Sequence, residues 1–268
     1  MRPLYLLLLL LTTLYSCKDA SKPHIDTKIN EEAPILERTS TYPKALNAIF
    51  KAHGGLSLWN KQRTLVFTIP KPNNPETHTT DLKSRKDKIV SVDFEMGFDG
   101  KAPWSVDKNS EYKGNVEFYH NLMFYFYAMP FVLADEGITY GETTDLIFED
   151  KAYPGIKISY GDGVGTSPKD EYFIHFDPDT HHMQWLGYTV TYSTGEKSDN
   201  VRWIRYDDWM SVDGLSLPKS ISWYNYEGRQ INDRRSTVVF ENVQLSTVSK
   251  EPAFYARPEN GKVFVKEE

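Results

Sequence analysis

The sequence predicts a mainly β domain: a curved antiparallel sheet of about ten or eleven strands wrapped on one apolar helix. Three observations predict it. Short runs rich in β-branched and aromatic residues recur between residues 64 and 243, separated by Gly, Pro, Asp and Asn at the close spacing of an antiparallel meander. One stretch, residues 117–134 (EFYHNLMFYFYAMPFVLA), breaks that rhythm. It carries almost no charge after Glu117 and is apolar nearly all round, as a helix buried on most faces must be. The chain is also 14% aromatic over 268 residues, enough bulk to fill the space that a curved sheet encloses.

The chain opens with an export pattern. Arg2 is followed by an apolar run at residues 4–11 and then by Leu14-Tyr15-Ser16-Cys17, a lipobox with an unusual tyrosine before the serine. The pattern predicts a signal peptide over residues 1–16 and acylation of Cys17. The run is too short to span a bilayer, whereas two or more acyl chains hold a protein on one. Cys17 is the sole cysteine, so no intramolecular disulfide can form. Residues 17–41 are polar and aperiodic after the cysteine, a flexible tether reaching on the order of 25–30 Å. One domain over residues 42–268 follows. A formal net charge of -6 without a basic stripe excludes a nucleic-acid partner.

Within the domain, Pro43 opens a helix whose apolar face is Leu46, Ile49, Phe50 and His53, and Gly54-Gly55 ends it. Leu56, Leu58 and Trp59 make a short second turn. Strands are expected at residues 64–69, 78–84 and 88–95, then at 104–106 after the turn Phe98-Asp99-Gly100-Lys101. In the apolar helix, Phe118, Leu122, Tyr125 and Met129 fall at helical spacing on one face, with Phe124, Phe126, Tyr127 and Phe131 around it. His120 and Asn121 shorten the apolar run to about a dozen residues, a core helix rather than a span. Pro130 should stop the helix near residues 125–127. Further strands are expected at 138–140, 146–149, 156–160, 171–176, 183–194, 201–206, 215–226 and 236–243. Asp177-Pro178-Asp179-Thr180 forms one of the turns between them. Phe254 and Tyr255 anchor a C-terminal tail.

Chemical constellations are sparse. His175, His181 and His182 with Asp177 and Asp179 invite a metal reading, but adjacent strand residues face opposite ways, so convergence on one ion is not expected. His53 reads as a cationic cap on helix carbonyls, and His120 as a core histidine in need of a partner. Gly161-Asp162-Gly163-Val164-Gly165 lacks the strand–helix setting of a phosphate loop and reads as a hairpin loop. Asp207-Asp208 and Glu149-Asp150 read as turn acids rather than a glycosidase pair. Trp185, Trp203, Trp209 and Trp223 read as core, unless one exposed face gathers them for sugars.

Several segments together resemble a family of uncharacterised lipoproteins from Bacteroidota: Ala52-His53-Gly54-Gly55 with Trp59, Asp81-Leu82-Lys83-Ser84-Arg85, Phe98-Asp99-Gly100 with Trp104, and Met129-Pro130-Phe131-Val132-Leu133-Ala134. Tyr172-Phe173, Phe176-Asp177, Gly214-Leu215 and Leu217-Pro218 resemble the LolA/LolB-like lipoprotein-sorting superfamily. The resemblance implies an open half-barrel with helices across its concave face, holding an acyl chain or another apolar molecule without covalent chemistry. The expected function is then a lipid-anchored envelope protein, at the outer membrane, that binds or carries a hydrophobic ligand. Phe118, Leu122, Tyr125, Phe126, Met129 and Phe131 are the candidate ligand-binding residues, with no catalytic residue, metal or cofactor. The alternative is a surface module binding glycan or another envelope protein, which exposed tryptophans would favour.

Overall fold

In the computed structural model, which describes residues 41–109, 112–161, 169–191 and 195–264, helix α1 (Lys44–Ala52) opens the domain. It forms because Leu46, Ile49 and Phe50 lie on one stripe, and all three are buried. The expectations for residues 1–41 before Thr41, Cys17 among them, and for most of the loop at 161–165 lie outside the described residues. At the end of α1 the chain turns through Gly54 into the short helix α2 (Leu56–Trp59). Gly54 has φ +100°, and a Cβ there would lie 2.3 Å from the Gly214 carbonyl oxygen, so only glycine fits.

His53, beside that turn, is fully buried and neutral. Its Nδ1–H donates to the Ser216 carbonyl (3.2 Å), the Met183 N–H donates to its Nε2 (3.0 Å), and the Ser216 N–H donates to its own carbonyl (3.0 Å). Burial pushes its pKa down to about 3, with only partial relief from the Ser216 carbonyl. The expected cationic cap is therefore corrected. His53 holds α1 to a sheet as an uncharged donor and acceptor.

The chain continues through β1 (Thr64–Ile69), β2 (Glu76–Asp81), β3 (Asp87–Val90), β4 (Phe94–Phe98) and β5 (Pro103–Asp107). Helix α3 (Val116–Tyr127) and a 3-10 turn (Phe131–Ala134) follow. Then come β6 (Ile138–Glu142), the pair β7 (Leu146–Phe148) and β8 (Lys151–Tyr153), β9 (Gly155–Tyr160) and β10 (Glu171–Phe176). The series ends with β11 (Met183–Tyr188), β12 (Arg202–Val212), β13 (Leu215–Glu227), β14 (Gln230–Val239), β15 (Glu241–Ser246), the short helix α4 (Pro252–Tyr255) and β16 (Lys262–Val263). No helix among the described residues is long and apolar enough to cross a membrane.

The fold is mainly β and antiparallel with few helices, and its strands divide into two sheets. One has the order β15-β1-β2-β3-β4-β5-β16, the other β14-β13-β12-β11-β10-β9-β6. The chain passes between them twice, through α3 and the 3-10 turn from β5 to β6, and again at Phe240 from β14 to β15. The Phe240 N–H donates to Lys219 beside β14, and the next residue, Glu241, pairs with Thr68 in the first sheet. Residues 236–243, expected as one strand, are thus two strands in different sheets, with Phe240 driven into the core between them against Phe67 and Tyr127. Residues 88–95 also divide. Ser91 accepts from the Phe94 N–H and donates to its carbonyl, closing a turn between β3 and β4. The β7–β8 hairpin, unforeseen as a pair, covers Trp185, Trp203 and Tyr224 on the outer face of the second sheet.

His53 and His175 make stability fall with acid. Burial lowers His175 to about 4, and it donates Nδ1–H to the Tyr153 carbonyl. Both rings are neutral when folded and protonate near 6.5 when unfolded. Their stabilisation is therefore complete above that pH and is lost as pH falls, at up to ~1.4 kcal/mol per unit for each. Asp87, raised to about 6 by burial, opposes one such contribution between about 6 and its unfolded value. The unfolding free energy from urea titrations is expected to drop by about 1 kcal/mol per pH unit between pH 6 and pH 4, and a flat profile would contradict neutral buried histidines.

Candidate functional site

Helix α3 begins because Asn115 accepts the Phe118 N–H on its side chain (3.0 Å), and Glu117 suits the positive end of the helix. It ends at Tyr127, as Pro130 requires; the Met129–Pro130 peptide is cis. Val116, His120, Met123, Phe124 and Tyr127 form the buried stripe, together with Phe126. The stripe of Phe118, Leu122 and Tyr125, expected as a face of the plug, is only half-buried. Phe126, Met129 and Phe131 are sealed in the core. Phe131 stacks on Trp59 at 4.7 Å, and the Phe126 carbonyl accepts from the Tyr206 hydroxyl (2.9 Å). The structure thus leaves three of the six candidates half-buried, Phe118, Leu122 and Tyr125, and seals the other three in the core.

Buried ionisable groups tie α3 to the first sheet. His120 Nδ1 lies 2.7 Å from Asp87 Oδ2, with Phe98 stacked over the imidazole at 5.7 Å. On the preceding residue, the Tyr119 hydroxyl donates to Glu76 Oε2 (2.6 Å) and accepts from Lys71 (2.8 Å), which also pairs with Glu76. Burial pushes Glu76 up, but His78, Lys71 and Tyr119 together hold its carboxyl below the ordinary value. His120 therefore has the acid partner that sequence reasoning asked for, and the pair lies in the packing between helix and sheet.

On its other side α3 faces the second sheet. Cross-strand pairing aligns Tyr140, Ile158, Tyr172 and Tyr188 in one row on one face, and Tyr160 lies on the same face two residues beyond Ile158. The next row is Ile156, Ile174, Leu186, Ile204 and Trp223, mostly sealed core. Tyr160 meets Tyr172 edge-on at 5.6 Å, Tyr172 stacks near Tyr188 at 6.4 Å, and Phe126 reaches Tyr188 at 5.3 Å. Tyr125 on α3 acts electrostatically on Tyr160 and Tyr172, so the phenols of helix and sheet converge. Burial raises the pKa of Tyr125, Tyr160 and Tyr172; Tyr125 further disfavours ionisation of Tyr160, and both disfavour that of Tyr172.

Their hydroxyls differ from those nearby. Tyr140 donates to the Leu133 carbonyl (2.7 Å), and Tyr188 accepts from Trp223 Nε1 (3.0 Å). The hydroxyls of Tyr125, Tyr160 and Tyr172 have no partner among the described residues, yet are not sealed from solvent. Sequence reasoning missed this row. Its signal was the alternation Tyr172, Ile174 and Phe176 in β10, but only strand register brings Tyr140, Tyr160 and Tyr188 beside it.

The other constellations disperse. His175 faces Tyr153 on the outer side, His181 stacks on Phe176 in a left-handed turn, and His182 lies against His53 at 4.9 Å. Among the described residues no group of three His, Cys, Asp or Glu can hold a metal ion. Glu149 and Asp150 are exposed in the β7–β8 turn, and Asp207 pairs with Arg205. Trp185 and Trp203 are buried, and Trp209 and Trp223 are half-buried against the core.

Residues 56–241 match the model of a family of unknown function, DUF6503. Among solved structures, the chain is similar to a DUF1329 family protein from Desulfovibrio piger, with TM-score 0.47, 10% identity, and coverage of 80% of this chain and 98% of that one. It is also similar to a LolA superfamily protein from Nitrosomonas europaea, with TM-score 0.39, 8% identity, and coverage of 78% and 96%. At these scores the likenesses carry nothing about ligand or partner. No curated protein matches the chain.

The two sets of tyrosines make opposite demands on stability. Tyr119→Phe and Tyr206→Phe each remove a bonded, buried hydroxyl and are expected to cost about 1–3 kcal/mol in urea unfolding. Tyr160→Phe and Tyr172→Phe remove unpartnered hydroxyls and should change stability by less than about 0.5 kcal/mol. Equal losses at all four positions would mean that the wall is bonded structure rather than an open surface.

Proposed function

The chain belongs to the DUF6503 family, and we propose that it is a lipid-anchored protein of the cell envelope that binds or carries a hydrophobic molecule without covalent chemistry. The observation that carries this reading is the half-buried apolar stripe of Phe118, Leu122 and Tyr125 on α3, together with the half-buried phenols of Tyr160 and Tyr172 on the second sheet. Half-open aromatic and aliphatic surface with a few convergent polar groups is the usual lining of an apolar ligand site. Attachment through Cys17 rests on the lipobox, and placement at the outer membrane on the resemblance of the sequence to outer-membrane lipoprotein-sorting proteins. An anchored carrier receives or holds its ligand at the membrane surface.

The alternatives have less support. Trp185 and Trp203 lie beneath the β7–β8 hairpin, so they offer no exposed platform for a glycan. The acid–base groups near α3 are engaged in bonding it to the first sheet, with Phe98 over His120 and Lys71 on Glu76.

Native mass spectrometry of the full-length chain, with lipid extraction, tests the reading. A co-purifying apolar molecule is expected. Leu122→Asp places a charge on the half-buried stripe and should cut its occupancy about tenfold or more while the domain stays folded. An empty folded protein, still empty after incubation with envelope lipids, would make the stripe ordinary surface and favour a binding module instead.

A further inference from the structure

We propose that the free edge of β15, with the cleft at its start, docks an extended segment of another polypeptide, which adds as an eighth strand of the first sheet and carries an aliphatic residue beside a lysine or arginine. The inference is independent of the hydrophobic-ligand reading and uses none of its residues.

The first ground is the edge. Among the described residues β15 pairs with β1 on one side and with no strand on the other. An open edge is a row of N–H and C=O groups that another extended backbone matches, and proteins blunt it with charge, proline or a bulge. The last strand of the second sheet, β14, is blunted in this way: Asp233, Arg234 and Arg235 fall where its register against β13 shifts. β15 is blunted only at its start, where Glu241 and the left-handed Asn242 (φ +51°) open an irregular stretch. From Val243 to Ser246 it carries no charge and no proline, and Gln244 is exposed.

The second ground is the cleft. It has a volume of about 750 Å³ and runs between the start of β15, Glu241 to Val243, and the end of the β12–β13 hairpin at Met210, Val212 and Asp213. No residue of β1 lines it, so it lies on the unpaired side of β15. Phe240 is its buried floor, with Met210, Val212 and Val243 half-buried around it, an apolar seat for one aliphatic side chain. The rim is acidic. Asp213 and Glu241 are exposed, and Lys219, the cation of the lining, already lies 4.0 Å from Asp208. A lysine or arginine next to the aliphatic residue meets the two acids, and an acidic segment is disfavoured.

A second copy of this chain fits this edge less well. The uncharged run is only Val243 to Ser246, whereas a stable dimer engages about 20–30 residues a side. A flexible segment is not bound by that limit: backbone bonds give it affinity, and the seat in the cleft gives it selectivity.

Phage-displayed random heptapeptides, selected on the full-length protein held in an amphipathic polymer with polymer alone as the blank, test the proposal. The enriched sequences are expected to combine alternating aliphatic residues with lysine or arginine. The best of them is then made as a free labelled peptide and its binding measured by fluorescence anisotropy. N-methylation of alternate backbone nitrogens along one edge should weaken it about tenfold or more, and along the other edge leave it unchanged, because an added end strand bonds through one edge only. The double variant Asp213→Asn/Glu241→Lys, its fold checked by melting temperature, should bind the peptide about fivefold more weakly and lose the preference for it over the same peptide carrying glutamate. Equal effects of methylating the two edges would overturn strand addition. Affinity unchanged in the double variant would overturn the placement at this cleft, and no enrichment over the blank would overturn the proposal as a whole. Dimerisation of the protein alone that the peptide blocks would give the edge to a second copy instead, and enriched sequences matching residues 18–40 would give it to this chain's own tether.

Discussion

Two seven-stranded sheets each turn an apolar face inward, and neither can be sealed by the other alone. The gap between them is filled by one continuous piece of chain, α3 and the 3-10 turn after it. Tyr127 stacks on Phe67 of the first sheet at 4.6 Å, Phe126 meets Tyr188 and Trp223 of the second, and Phe131 stacks on Trp59. The segment therefore contacts both sheets and the N-terminal helices at once. This explains why it must be apolar nearly all round. It also explains why it cannot be one long helix: the change of direction at Met129 and Pro130 turns Phe131, Val132 and Leu133 into the core beside α1.

A filler of that kind needs fixing in rotation as well as in place, because an all-round apolar helix has little to choose between faces. The polar groups supply the choice. Tyr119 and His120 can reach Glu76 and Asp87 in only one rotation of α3, and each of those acids would be a costly unpaired charge without its partner. His53 does the same for α1, in neutral form, through Ser216 and Met183. Buried polar groups here specify orientation, and the hydrophobic contacts supply the bulk of the stabilisation. Fixing α3 in this way leaves Tyr125 and Phe126 on the side facing the second sheet.

Local signals in the sequence carried most of the elements. α1 with its Gly-Gly stop, β1, β10, the Asp177 turn and the end of α3 near Pro130 all follow from residue chemistry within a few positions. What was illegible depends on distant partners. Nothing near Phe240 marks a change of sheet, since both flanking segments read as strand; only pairing with β13 on one side and β1 on the other separates them. The stripe of Phe118, Leu122, Tyr125 and Met129 was as apolar as its neighbours, so periodicity could place it on one face without saying which face was sealed. The tyrosine wall was hidden for a related reason: four strands each contribute one phenol, and the register that aligns them is not a local property.

An open phenol wall is costly to keep if it has no use. A tyrosine buries roughly 150–250 Å² when fully enclosed, and Tyr125, Tyr160 and Tyr172 are each only partly covered, leaving at most about 90 Å² apiece, worth no more than some 2 kcal/mol each at about 25 cal/mol per Å². Closer packing of α3 on the second sheet would recover that area. It is prevented by the pairs that hold the helix to the first sheet, His120 on Asp87 and Tyr119 on Glu76, since pulling either acid from its partner leaves a buried charge uncompensated, at a cost of about 3–5 kcal/mol. The polar ties to one sheet thus set how much of the other stays open.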